Sequence, residues 1–155
     1  MPTTDTQSAV YADDIQPGDT WHLGSYTLSE DEIVAFASQW DPQFLHVDVE
    51  RAATESQFGG LIASGLHTIG VYQRLSVLSR AGQWRVIAGA GLDEVRFLRP
   101  VRPGDTLTGQ SRIEAVEMDE VRGRGLVTCA GELSNQHGKQ VFSMRMAAYL
   151  ETRAA

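Results

Sequence analysis

The run Leu66-His67-Thr68-Ile69-Gly70-Val71-Tyr72-Gln73-Arg74-Leu75-Ser76-Val77-Leu78 limits the possible folds more than any other stretch. Its apolar residues fall at helical spacing yet cover far more than one stripe, and a helix apolar on most sides is buried on most sides. No apolar run in the chain approaches the roughly 20 residues needed to span a bilayer, so this is expected to be a core helix rather than a membrane span. It is expected to run to about Ser79, with Ser64 as its N-cap. Ala63, Ser64 and Gly65 are small, so another backbone or a ligand can come close to the first amides of the helix. The rest of the chain must supply a surface broad enough to cover it.

A sheet answers that need. After Gly82 the sequence predicts strands over 92–99, over 106–116 with Leu107, Ile113 and Ala115 on one face, and through Val127, Cys129 and Leu133. The last strand alternates through Phe142, Met144, Met146, Ala148 and Leu150. Pro103-Gly104-Asp105 and residues 135–139 read as the turns between strands. Upstream, residues 20–28 favour a strand, and Ser29-Glu30-Asp31-Glu32 fits a capping box. Ile33, Phe36, Ala37 and Trp40 then mark the buried stripe of an amphipathic helix, and a short helix over 49–55 starts after Asp48. Strands joined by short turns imply an antiparallel sheet of the α+β class. A single hot-dog domain over 14–152, its antiparallel sheet curled around the buried central helix, is the expectation, with residues 1–13 as a flexible N-terminal tail.

A net charge of −7 argues against a nucleic-acid or anionic-membrane surface. One cysteine, Cys129, allows no internal disulfide and points to a reducing cytoplasm. The polar, acidic N-terminus matches neither a signal nor a transit peptide. No Cys/His cluster has metal spacing and no glycine-rich nucleotide fingerprint follows a strand, so neither a metal nor any other cofactor is expected.

The chemistry is expected in Trp40-Asp41-Pro42-Gln43-Phe44-Leu45-His46-Val47-Asp48, which joins two helices. Pro42 turns Asp41 away from helical geometry, predicting an irregular connection that carries a carboxylate and an imidazole five positions apart. Such a segment either holds the pair at a cleft or is a turn in which Asp41 caps amides and His46 is half exposed.

These residues resemble the MaoC-like dehydratases, the family of the (R)-specific enoyl-CoA hydratases. The likeness rests on Asp41 to Asp48, on Phe58-Gly59-Gly60-Leu61-Ile62-Ala63-Ser64-Gly65, and on Phe97-Leu98-Arg99-Pro100-Val101 with Pro103-Gly104-Asp105. Gln43, Phe44 and Ser64 stand where the family more often has Asn, Pro and His. The resemblance implies Asp41 and His46 as catalytic residues that hold one water for addition to a trans-2-enoyl thioester of CoA or of an acyl carrier. Gly65, with Ser64 before it, would meet the thioester oxygen at the helix N-terminus. It also implies a homodimer or a multiple of one. Two alternatives are a hot-dog acyl-CoA thioesterase and a non-catalytic acyl-binding or partner subunit. The first is disfavoured because residues 66–80 hold no acid; the second, because both Asp41 and His46 are present.

Overall fold

The computed structural model describes residues 8–154. In chain order the elements are β1 (Ala9–Val10), a 3-10 turn (Ala12–Asp14), β2 (Thr20–Thr27), α1 (Glu30–Trp40), α2 (Phe44–Val47), α3 (Val49–Glu55) and α4 (Gly65–Ser79). Then follow β3 (Gln83–Trp84), β4 (Val86–Phe97), β5 (Thr106–Asp119), β6 (Arg124–Ser134) and β7 (Gln140–Glu151). Five strands form one sheet in the order β2-β5-β6-β7-β4, antiparallel at every pairing.

The sheet curls around α4. Val71, Tyr72 and Leu75 from the helix share one core with Leu23, Leu107, Leu133, Phe142 and Met144 from the strands. This is the hot-dog arrangement of the α+β class. Local chemistry sets the helices that feed the site. Ser29 accepts from the Glu32 amide while Glu32 accepts from the Ser29 amide, closing the capping box of α1. Asp48 caps α3 by accepting from the Arg51 amide at 3.0 Å. No helix among the described residues is long and apolar enough to cross a membrane.

Several expectations are corrected. Of the expected tail over 1–13, residues 1–7 lie outside the described residues, and within the rest β1 pairs with β3 and Ala12 is 1% exposed. A small residue in a 3-10 turn fits the space between Ile113, Val127 and Leu150. Strand β4 begins at Val86 rather than Leu92, because its ladder with β7 outweighs the weak strand preference of Ala88, Gly89, Ala90 and Gly91. A register shift between Ile113 and Ala115 turns β5 so that Val116, not Ala115, joins the apolar cluster of Ile113. Trp40 is 63% exposed, so the buried stripe of α1 ends at Ala37. Helix α4 keeps one face open, which carries Gln73 and Arg74 as well as Leu66, 53% exposed, and Leu78, 67% exposed.

Candidate functional site

Asp41 is the C-cap of α1, at φ −154° and ψ 70°, outside helical geometry as Pro42 requires. The segment after it is not irregular throughout, because residues Phe44 to Val47 close one helical turn. That turn places His46 inward, 6% exposed, with its Nδ1 2.7 Å from the Ile62 carbonyl. A carbonyl only accepts, so Nδ1 carries the proton and Nε2 of the neutral ring presents a lone pair. Nε2 lies 3.4 Å from Asp41 Oδ2. The two groups singled out in the sequence are therefore brought together.

The carboxylate is held from its other side. Ser64 Oγ donates to Asp41 Oδ2 at 2.6 Å and Gln43 Nε2 donates to Asp41 Oδ1 at 2.7 Å. These two bonds, Ser64 first, hold the Asp41 carboxyl below the ordinary carboxylate range, against the opposing effect of burial. Asp41 is thus a fixed anion.

Ser64 is the N-cap of α4 expected of it, and it also holds the carboxylate. Its residue is 0% exposed, its hydroxyl proton goes to Asp41, and its oxygen accepts from the Leu66 amide at 3.3 Å as the N-cap of α4. Gly65, the first residue of α4, retains an amide with no acceptor among the described residues. A Cβ at Gly65 would lie 2.5 Å from Phe97 Cζ, so close packing against an aromatic ring also demands glycine there.

His46, Gly65, Thr68, Phe97, Val101 and Val141 are among the residues lining a cavity of about 300 Å³. The backbone ties its walls together: the Ile62 amide donates to Leu45 and the Ala63 amide to Val101. A larger groove of about 450 Å³ lies on the outer face of the sheet, lined in part by Glu94, Arg112, Glu114 and Arg145. Those charges pair with one another, and no polarised base or free helix amide meets them, so the groove offers nothing comparable to the His46 cavity. Buried His67 stacks on Phe36 at 4.6 Å and leaves Nδ1 without a partner among the described residues. Burial holds it below the ordinary histidine range. Among the described residues no group of three or more His, Cys, Asp or Glu is arranged to hold a metal.

Sequence reasoning did not find Gln43, the Ile62 carbonyl or Phe97 as parts of the site. Gln43 alone carried a signal, since an amide two residues after Asp41 can turn back onto its carboxylate.

A family model described as "MaoC like domain" matches residues 14–136. The crystal structure of a MaoC-like dehydratase from Rhodospirillum rubrum is similar, with 34% identity and a TM-score of 0.81 over 94% of this chain and 99% of that one. Protein MaoC of Klebsiella aerogenes is 41% identical over 63% of this chain. The 3-hydroxyacyl-thioester dehydratase Z of Mycobacterium tuberculosis is 34% identical over 59% of it. The matched region spans 28% of the Klebsiella protein and 61% of the mycobacterial one.

Proposed function

Because this chain belongs to the MaoC-like domain family, we propose that it is a hydro-lyase of acyl thioesters, reversibly hydrating trans-2-enoyl-CoA, or the acyl-carrier equivalent, to the (R)-3-hydroxyacyl thioester. One observation carries the reading: a fixed Asp41 carboxylate and the His46 Nε2 lone pair, both acceptors, stand 3.4 Å apart. Two acceptors so placed take both protons of one water and leave its oxygen lone pairs facing outward. That is the orientation a nucleophilic water needs.

In the forward direction the water oxygen bonds to C3 while the π pair moves through C2 onto the thioester oxygen. The water proton passes to His46 Nε2, because Asp41, stabilised as an anion by Ser64 and Gln43, is the weaker base. The imidazolium so formed faces the Asp41 charge and then returns the proton to C2. The enolate oxygen accepts from the free Gly65 amide at the positive end of α4. Acid–base help of this kind is worth about 10²–10⁴-fold and one oxyanion donor about 10²–10³-fold. No metal or redox cofactor has a part in these steps.

The reading includes a homodimer or a multiple of one, in the cytoplasm, as the single free thiol of Cys129 suggests. Its test is incubation of purified protein with trans-2-butenoyl-CoA. Hydration removes the enoyl absorbance without releasing thiol. Release of CoA thiol would instead make the protein a thioesterase, and no change with any enoyl thioester would leave it a binding subunit.

A further inference from the structure

The ring of Phe97 stands on the backbone of Gly65. A Cβ built on Gly65 would lie 2.5 Å from Phe97 Cζ and 2.7 Å from both Cε atoms, so the ring face already fills the space of a methyl group there. Phe97 ends β4, and behind its ring lies Phe142, with centroids 6.1 Å apart and planes 27° from parallel. Phe142 is 0% exposed and packed in the core, whereas Phe97 is 56% exposed. The ring therefore has a rigid backing and an open front. Phe97 and Gly65 line the same cavity as His46.

We propose that Phe97 is the specificity-determining wall of this cavity, admitting straight-chain acyl thioesters and excluding those with a methyl branch at C2. The inference rests on the thioester reading of the site. An acyl oxygen bonded to the Gly65 amide brings C1 and C2 alongside the Gly65 Cα, where the ring face lies. Position 65 has no room for a methyl of its own on that side, and a methyl delivered there by the ligand meets the same ring. Hydrogen at C2 fits. The ring cannot retreat toward Phe142, so the branched ligand must either displace it into solvent or bind out of register with His46. A misfit of one methyl group in an apolar site is worth about 10–200-fold in kcat/KM.

The test compares the wild type with Phe97→Ala and Phe97→Leu, using trans-2-butenoyl-CoA and its 2-methyl analogue as substrates. Butanoyl-CoA and 2-methylbutanoyl-CoA serve as unreactive ligands whose binding is measured by calorimetry. The wild type is expected to favour the straight chain by about 10–200-fold. Phe97→Ala should bring the ratio close to one by improving the branched partner, and Phe97→Leu, which keeps contact with Phe142, should fall between. Equal ratios in wild type and variants, or equal losses on both ligands, overturn the wall. If no enoyl thioester is hydrated but the calorimetric ratio still follows residue 97, the hydratase reading fails and the wall stands. If neither saturated thioester binds the wild type, the wall falls as well.

Discussion

The Ser64 hydroxyl lies 2.6 Å from Asp41 Oδ2, and that bond joins the C-cap of α1 to the N-cap of α4. One side chain thus holds the carboxylate and starts the helix whose first amide faces the cavity.

Replacing Ser64 with Ala should therefore have two separable effects. Loss of the cap costs about 1 kcal/mol. Loss of the largest influence lowering the Asp41 pKa lets that pKa rise toward its ordinary value of 3.8. A depressed carboxylate contributes stability that is full above the ordinary value and vanishes as pH falls through the folded-state value. The variant's stability deficit should accordingly be larger at neutral pH than in acid. Carboxyl NMR titration of Asp41 beside melts at several pH values checks this, and an unmoved Asp41 pKa would remove Ser64 from the site.

What could be read from the sequence was what neighbours along the chain decide. The capping box at Ser29, the Asp48 cap and the span of α4 depend on residues a few positions apart, and the structure has them where expected. The Asp41–His46 contact was legible for the same reason. The carbonyl that fixes the His46 tautomer comes from Ile62, sixteen residues on, and the ring on Gly65 comes from another element altogether. Nothing in local pattern announces either. Strand β4 was truncated at Leu92 because the small residues before it have no strand preference of their own and are extended only by pairing with β7. Ser64 was readable as a cap, but its hydroxyl proton goes to a residue 23 positions back.

Gly131 illustrates a requirement set by packing alone. A Cβ there would fall within the ring and hydroxyl of Tyr72, a residue 1% exposed whose hydroxyl donates to Ser111 Oγ at 3.0 Å. Gly131→Ala must push the central helix off the sheet or break that bond, an overpacking cost of about 1–3 kcal/mol. For a chain of this size each kcal/mol lowers Tm by about 2–4 °C. Turnover per folded molecule should be preserved. A melt at the wild-type temperature would show that the helix moves freely.

The outer edge of β4 explains why a second copy is expected. Val86, Ile87 and Leu92 on this edge strand are 42%, 51% and 44% exposed, and Ala88 to Gly91 between them are small enough for another backbone to approach. Long apolar edges left open pair with further strands. Light scattering should give at least twice the 17.0 kDa of one chain. Ile87→Lys, which puts a charge on the exposed edge, should weaken the assembly. A fully active monomer would exclude the dimer.

The decisive variants are those of the pair itself. Asp41→Asn keeps the shape of the side chain but exchanges a charge that only accepts for an amide that also donates, so the water loses its orientation and the imidazolium its counter-charge. His46→Gln removes the ring whose Nδ1 is committed to Ile62 and whose Nε2 would take the proton in the proposed hydration. If both groups act on one water, either change disables the step, by about 10²-fold or more. The double variant should then be little worse than the poorer single one, because residues acting as a unit are not additive. Two independent contributors would instead multiply their losses. Hydration rates for both singles and the double, measured beside thermal melts, separate these outcomes. Folded variants that keep their turnover would reduce Asp41 to a helix cap and His46 to a buried neighbour.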